Sequence, residues 1–494
     1  MSSSVSRILL ALVLITLTPS VALAQWRRAE SQNFIVYSDG SERSLREYTA
    51  TLERFDGLMR VRFGGGPEDV RKLPVYLVRN DQALRIAQPD LPEGIAGYYS
   101  SSENDIFAIL VRGESDDILL HEYGHHFAAQ TGAANFPGWL SEGFAEYFAT
   151  ATVSERGRAT FGLPDPGRQY ALQQNRWLPM EQLLRARGSF EIQDRTGLGM
   201  YYAQSWLLTH WLLADQTRAE GLARYLTAIN GGQDPIEAWQ AVFGLTPDQL
   251  TTQLRAYSRG RLYYSARDIP PITPEITVTV LSPAAEAVLL PMINARSPDA
   301  ADIDGPALLQ TLRTAAGRYP DDALALVAVG RAERQWGDEA AAEQALTRAL
   351  ELDAVNSEGL LLMADLMIER GELAGDEAEG VRQLRLAQGF LRRALEADPT
   401  DYRVYAALAR IRRTAMDYPS ENDLETWLMA VQYAPQVTSI RGDAAIAMME
   451  GGQHDAAVAL LTPIVNDPHG GPGAQMAREL LAEIQERRAV ASAD

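Results

Sequence analysis

The stretch 116–150, DDILLHEYGHHFAAQTGAANFPGWLSEGFAEYFAT, constrains the fold of this chain more than any other part of the sequence. His121 and His125 lie four positions apart, so a helix places both imidazoles on one face, where they can bind the same metal ion. Glu122 follows the first histidine and projects toward the same side. Neutral imidazoles at this spacing suit zinc, and a neighbouring carboxylate can take a proton from a zinc-bound water. The pattern therefore predicts a helix that carries part of a catalytic zinc site.

A catalytic zinc site needs a third protein ligand, and the second half of the same stretch offers one. The turn-prone residues 135–138 precede a second predicted helix that contains Glu142. Two antiparallel helices joined by this turn would return Glu142 to the metal. Glu146 lies one turn further along the same face, where it could accept a hydrogen bond from the free ring nitrogen of a ligand histidine. His126 points away from this face and is interpreted as a structural or substrate-contacting neighbour.

A helix that carries HExxH by chance is the alternative, because the pattern is short. The chain has only six histidines, and three of them fall between positions 121 and 126. This concentration, together with the acidic segment that follows at a workable distance, favours a metal site over a packing helix.

The combination of HExxH with WLSEGFAEYF resembles the gluzincin metallopeptidases, and most closely their peptidase MA-like branch. The resemblance is close over 116–150 and loose over the rest of the N-terminal half. It implies an α+β, zincin-like catalytic domain with one zinc ion per chain. By this resemblance His121, His125 and Glu142 are the zinc ligands, and Glu122 is the general base.

The resemblance also implies a substrate-binding strand. In gluzincins the strand before the zinc helix is a sheet edge that pairs with extended substrate, and the segment IFAILV lies in that order here. An ordinary core strand is the alternative interpretation. The predicted substrate-binding residues are Ile106, Phe107, Ala108 and Ile109.

A tyrosine at the head of the helix predicted over 199–213 corresponds to the oxyanion donor of related gluzincins. Tyr202 matches best, and Tyr201 is adjacent. A donor of this kind matters because negative charge develops on the substrate oxygen only in the transition state. The alternative is an aromatic residue that belongs to the core.

The composition and the N-terminal segment of the chain limit the partners it can bind and the compartment in which it folds. The net charge of −20 argues against nucleic acid or an anionic membrane surface as a partner. Residues 1–24 combine Arg7, an apolar core and the small-x-small pattern at Ala22–Ala24, which predicts a cleaved signal peptide and no membrane span in the mature chain. An uncleaved anchor is the alternative. The absence of cysteine fits a periplasmic or secreted protein that folds without disulfides.

Four regions follow the predicted signal peptide. The catalytic region is 25–265, with a mixed α/β part over 25–112 and a mainly helical part over 113–265. A linker or return segment spans 266–320 and contains a predicted strand at 275–281. Tetratricopeptide-like helical repeats occupy 321–490. Other local predictions are strands at 33–37 and 73–78, helices at 43–62 and 81–87, a hairpin over 97–111, and irregular structure over 156–188.

Alanine-rich amphipathic helices with a recurring spacing predict the repeats. In the first unit Gly330 is the small residue of one helix, and Ala342, Leu346 and Ala349 are the packing positions of the next. Small residues recur because paired helices must approach closely. Arrays of this kind form concave surfaces that bind protein or peptide partners. A helical prop for the catalytic domain is the alternative.

These features predict an exported zinc-dependent peptidase, whose substrate is a peptide or protein, joined to an all-α solenoid. A different class remains open: a cell-envelope scaffold that binds partners through its repeats and holds a structural or inactive zinc domain. A zinc enzyme that hydrolyses a bond other than a peptide bond is a third reading.

Overall fold

The computed structural model describes residues 25–64, 70–91, 95–113, 116–131, 136–297, 303–465 and 472–491. The predicted signal peptide at 1–24 lies outside these residues. The described chain is mostly helical, with a mixed sheet near its N-terminus and a helical repeat region, resembling tetratricopeptide repeats, toward its C-terminus.

A six-stranded mixed sheet forms the N-terminal part. Its strands are β1 (Arg27–Glu30), β2 (Phe34–Ser38), β3 (Leu73–Val78), β4 (Gly97–Ser101), β5 (Ile106–Val111) and β9 (Thr277–Val280). They lie in the order β4-β5-β3-β2-β1-β9. Strands β2, β3 and β5 are parallel to one another, and the outer pairings are antiparallel. The strands predicted at 33–37 and 73–78 and the hairpin over 97–111 are confirmed.

Helices cover both faces of this sheet. On one face lies α1 (Glu42–Phe63), which begins at the Ser41 cap and ends at Gly64, where φ is +92°. On the other face lie α2 (Asp81–Ala87) and α11 (Ala285–Asn294). Alternate side chains of β5 therefore enter two different cores, and its six residues are all buried. The helices predicted at 43–62 and 81–87 are confirmed.

The position of β5 corrects the prediction of a substrate-binding edge at Ile106, Phe107, Ala108 and Ile109. Strand β5 lies inside the sheet, paired with β3 on one side and β4 on the other. Its backbone groups are already bonded to two neighbours, so an extended substrate cannot add to it. The edge strand at this end of the sheet is β4.

The helical part that follows begins with the antiparallel pair α3 (Asp116–Gln130) and α4 (Gly138–Ala149). A three-stranded sheet, β6 (Thr152–Val153), β7 (Arg158–Phe161) and β8 (Ser265–Asp268), lies beside it. The remaining helices are α5 (Pro166–Gln174), α6 (Met180–Arg185), α7 (Arg195–Leu213), α8 (Gln216–Asn230), α9 (Pro235–Phe243) and α10 (Pro247–Arg259).

The prediction of irregular structure over 156–188 is wrong for much of its length, since β7, α5 and α6 lie there. Pro166 occupies the first turn of α5, and Pro179 is the residue that precedes α6. Proline is well tolerated at both positions because no helical hydrogen bond is lost. These prolines begin helices.

The predicted return strand is present. Residues 277–280, strand β9, pair antiparallel with residues 27–30 of β1, so this segment completes the N-terminal sheet. Helix α12 (Gly305–Arg318) follows α11, and together they join the sheet to the repeats.

Successive antiparallel helix pairs build the repeat region. Gly330 allows close packing as predicted, because a Cβ there would lie 2.7 Å from Leu346. Ala342, Leu346 and Ala349 are fully buried. The helices are α13 (Ala323–Trp336), α14 (Glu339–Leu352), α15 (Ser357–Leu373), α16 (Glu377–Ala397), α17 (Tyr402–Ile411), α18 (Glu421–Tyr433), α19 (Thr438–Glu450), α20 (His454–Val465) and α21 (Pro472–Ala491).

The repeats pack against the β4–β5 hairpin. The Tyr402 hydroxyl donates to the Ser102 carbonyl at 2.6 Å, and Arg410 forms an ion pair with Glu103 at 2.6 Å. The described part of the chain contains no helix with the length and apolar character needed to cross a bilayer.

Candidate metal centre

Helices α3 and α4 bring the three predicted ligands together. The Nε2 atoms of His121 and His125 are 3.2 Å apart, and they lie 3.3 and 3.4 Å from Oε2 of Glu142. One ligand atom from each side chain falls within 4.8 Å of the other two. The three side chains thus point at one common position, as a metal site requires.

Close contact between α4 and α7 fixes Glu142. Gly143 follows it, and a Cβ on this glycine would lie 2.2 Å from Oγ1 of Thr209 and 2.3 Å from the Ser205 carbonyl. Only a residue without a side chain lets the two helices approach this far. The close packing leaves Glu142 with no exposed surface.

Each ligand histidine has a polar partner at its other ring nitrogen. Nδ1 of His121 lies 3.4 Å from Oε1 of Glu146, as predicted from the sequence. Nδ1 of His125 lies 3.2 Å from the Ser141 hydroxyl. Such partners fix the ring orientation and leave Nε2 directed at the metal position. Arg168 of α5 donates two hydrogen bonds, of 2.9 and 2.7 Å, to the Glu146 carboxylate and holds it in place.

The electrostatics of the cluster favour a cation. Burial alone would raise the pKa of Glu142, but the neighbouring histidines outweigh it and lower that pKa far below its usual value. Burial also opposes ionisation of Glu146, and contacts with His121 and Arg168 lower its pKa to about 2. Burial lowers the pKa of His121, whereas Glu142 and Glu146 raise it to about 10. Both carboxylates are therefore ionised at neutral pH, and the positive charge they attract is either the imidazolium of His121 or, once His121 has lost its proton, a metal cation.

The residues present fit a zinc ion. Both carboxylate oxygens of Glu142 are buried without a hydrogen-bond partner, which is costly unless a cation or another ligand satisfies them. Two imidazole nitrogens and one carboxylate oxygen make the donor set of a catalytic zinc site, which keeps its fourth position open.

Glu122 and Tyr202 flank the cluster. Glu122 is partly exposed and lines the same cavity as His125. The Tyr202 ring lies 6.2 Å from the His121 ring, with the guanidinium of Arg168 4.9 Å from its centre. Burial raises the pKa of Tyr202 to about 12, so its hydroxyl keeps its proton and remains a donor. The adjacent Tyr201 is fully buried in the core.

A cavity of about 580 Å³ opens beside the cluster, between α3, the edge strand β4 and the C-terminal repeats. His126 joins its walls: Nδ1 lies 2.9 Å from the Tyr99 hydroxyl and 3.3 Å from Nε2 of Gln436. Gln436 also donates to Tyr99. His126 thus points away from the candidate metal face, as predicted, and links α3 to the repeats.

Sequence reasoning missed four residues at this site. Arg168 lies in the stretch expected to be irregular, and Ser141 carries no signal apart from its place beside Glu142. The other two residues belong to the repeats, where no sequence motif indicates a contact with α3. These are Gln436 and Arg441, both of which line the cavity.

A family model described as "Protein of unknown function (DUF1570)" matches residues 117–237, a stretch that contains the whole metal cluster and Tyr202. No curated protein matches the chain. Among solved structures, the chain is similar to TTC0263, a thermophilic TPR protein of Thermus thermophilus, at 16% identity and a TM-score of 0.33. That match covers 40% of this chain and 99% of the other. The chain is also similar to MamA, at 16% identity and a TM-score of 0.26. That match covers 38% of this chain and 91% of the other.

Proposed function

We propose that this chain is a zinc-dependent peptidase of the gluzincin type, active in the periplasm or outside the cell, with a repeat region that binds a protein or peptide. One observation carries the proposal: His121, His125 and Glu142 converge on one point, and both histidines have a polar partner at Nδ1. A structural zinc site is normally closed by four protein ligands, whereas three ligands beside a cavity leave a position for substrate.

The side chains around the cluster can share the work of peptide hydrolysis. A zinc ion bound there would supply a Lewis acid for the scissile carbonyl and lower the pKa of the attacking water. Glu122, which lines the cavity, would take the proton of that water and pass it to the leaving amine. Tyr202 would donate a hydrogen bond to the oxygen on which charge develops. Glu146, held by Arg168, keeps the His121 ring oriented.

The first test is the metal content of the purified chain 25–494, measured by elemental analysis. We expect about one zinc per chain in the wild type and in Glu122→Gln, and almost none in Glu142→Ala. Glu155→Gln, an exposed glutamate on the β6–β7 turn, is the matched control and should retain zinc.

The second test is cleavage of a mixture of unmodified peptides, followed by mass spectrometry. The wild type and Glu155→Gln should cleave, and zinc-loaded Glu122→Gln should not. Cleavage by Glu122→Gln at the wild-type rate would overturn the assigned base. A wild type that binds no zinc even when zinc is supplied would favour the scaffold with an inactive domain.

A further inference from the structure

Arg441 lies in the wall of the cavity that the repeats supply. It belongs to α19 and is only 9% exposed. Its Nε donates to the carbonyl of Pro435 in the loop before the helix, which holds the side chain in place. Arg441 lines the cavity that Glu122 and His125 also line.

No carboxylate within the described ranges forms an ion pair with Arg441. The other deeply buried arginines behave differently: Arg296 pairs with Asp105, Arg331 with Glu358, and Arg403 with Asp401. Burial lowers the pKa of Arg441 to about 10, because the charged guanidinium loses its hydration. At neutral pH the group is still charged, so the cavity contains a buried cation that has no counter-ion among the residues the structure describes.

An uncompensated buried charge destabilises the folded state. In a chain with a net charge of −20, carboxylates that could have neutralised it are abundant. A planar guanidinium with free N–H groups is suited to bind a carboxylate through two parallel hydrogen bonds. A carboxylate on a ligand would supply the partner that the described residues do not.

The rest of the cavity suits a short peptide. Its volume of about 580 Å³ lies within the usual range for ligand pockets, and its lining includes both apolar and polar residues. Leu91, Ile95 and Phe136 are among these apolar residues. Polar groups occupy two sides, with Glu122 and His125 on the zinc helix and Arg441 and Gln436 on the repeats.

We propose that Arg441 binds a carboxylate of the substrate, so that the enzyme selects peptides with a carboxylate close to the cleaved bond. This proposal rests on the proposed peptidase function. The carboxylate could be the free C-terminus of a peptide or the side chain of an aspartate or glutamate, and Arg441 would recognise both. The repeats then form part of the substrate site and determine specificity.

The first experiment measures binding by calorimetry. Acetyl-trialanine with a free carboxylate and its C-terminal amide are titrated into the chain 25–494, both zinc-loaded and after removal of metal. We expect the free acid to bind at least about tenfold more tightly than the amide in both forms, because an ion pair with a buried arginine is worth more than about 1.4 kcal/mol. Arg441→Gln should abolish the difference, and Arg385→Gln, an exposed arginine on α16, should retain it.

The metal-free form separates Arg441 from the metal centre as the source of discrimination. If zinc held the carboxylate, the preference would vanish without metal and persist in Arg441→Gln, which would overturn the proposal. Arg441→Lys keeps the charge and should retain a weaker preference. It serves as the second variant if Arg441→Gln is shown by circular dichroism to be unfolded.

Cleavage distinguishes the two sources of the carboxylate. Three versions of one peptide are compared: one with a free C-terminus, one amidated, and one amidated with aspartate near its end. Rapid cleavage of the first alone indicates C-terminal recognition, and rapid cleavage of the first and third indicates a general carboxylate site. Equal rates for all three, unchanged in Arg441→Gln, would overturn the proposal. Carboxylate-dependent binding without any cleavage would contradict the peptidase and leave the Arg441 site intact.

Discussion

Asp105, at the start of β5, and Arg296, after α11, form a buried ion pair of 2.7 Å although 191 positions separate them. Arg71 approaches the other oxygen of Asp105 at 2.9 Å. Glu358 of the repeats lies 3.2 Å from Arg296 and 3.0 Å from Arg403. These charges connect the sheet to the repeat region through groups that water scarcely reaches.

Asp105→Asn should destabilise the protein strongly at pH 7. It leaves two buried arginines without their shared anion, which typically costs about 3–5 kcal/mol. Asp268→Asn is the matched control, since its pair with Arg158 is exposed and worth about 0–1 kcal/mol. Urea unfolding followed by circular dichroism measures both. If Asp105→Asn loses no more free energy of unfolding than the control, the stabilising role of this buried ion pair is contradicted.

Acid should weaken the same contact. Burial would raise the pKa of Asp105, but Arg296 and Arg71 outweigh it and lower that pKa below its usual value of 3.8. A lowered folded-state pKa means that the stabilisation is complete above the unfolded value and is lost as the pH falls through the folded one. The unfolding free energy should therefore decline below about pH 4, and less steeply in Asp105→Asn than in the wild type. Equal slopes would contradict the ionised state of Asp105.

Arg168→Met should weaken zinc binding about 10- to 100-fold, the usual cost of losing an outer partner of a metal ligand. Without Arg168 the Glu146 carboxylate is no longer held beside His121. Competition with a zinc chelator measures the affinity. Arg158→Met, which removes an exposed arginine whose ion-pair partner is Asp268, should leave zinc affinity unchanged. Equal affinities for the two variants would exclude a supporting role for Arg168.

Tyr202→Phe should lower kcat about 10²- to 10³-fold while zinc content and KM stay close to wild-type values, since the hydroxyl acts only in the transition state. Tyr201→Phe is the adjacent control. The Tyr201 hydroxyl is buried without a hydrogen-bond partner, so its removal should change neither rate nor fold. Equal kinetic effects of the two substitutions would remove Tyr202 from the mechanism.

Gly143→Ala should separate α4 from α7 and move Glu142. A new methyl group 2.2 Å from Thr209 cannot be accommodated without a backbone shift, and overpacking of this kind costs about 1–3 kcal/mol. We expect a lower melting temperature and reduced zinc content. Gly199→Ala, where a Cβ would meet no atom within 4 Å, is the control and should retain both. Full zinc content in Gly143→Ala would show that the helix contact does not set the ligand position.

The local elements and the metal cluster were predictable because their determinants are close in sequence. His121, His125 and Glu142 lie on two neighbouring helices, and the histidine spacing together with the gluzincin resemblance predicted that they meet. The thirteen-residue helix α10 was equally accessible, because the Thr246 cap and Pro247 mark its start.

Contacts between residues that are far apart in the sequence could not be predicted in the same way. An apolar strand such as β5 has the same sequence pattern whether it lies at the edge or in the middle of a sheet, because strand order depends on partners elsewhere in the chain. Likewise, the distance of 310 positions between His126 and Gln436 leaves no local pattern that predicts their contact. The residues that line the cavity can therefore be identified only in the folded structure.

The pairing of β9 with β1 also has a consequence for the order of synthesis. The partner of residues 27–30 lies about 250 residues later in the chain. Until residues 277–280 have emerged into the compartment where the chain folds, the edge of the sheet formed by β1 is unpaired and open to association with other chains. A chaperone that shields strand edges during this period should therefore raise the yield of folded protein.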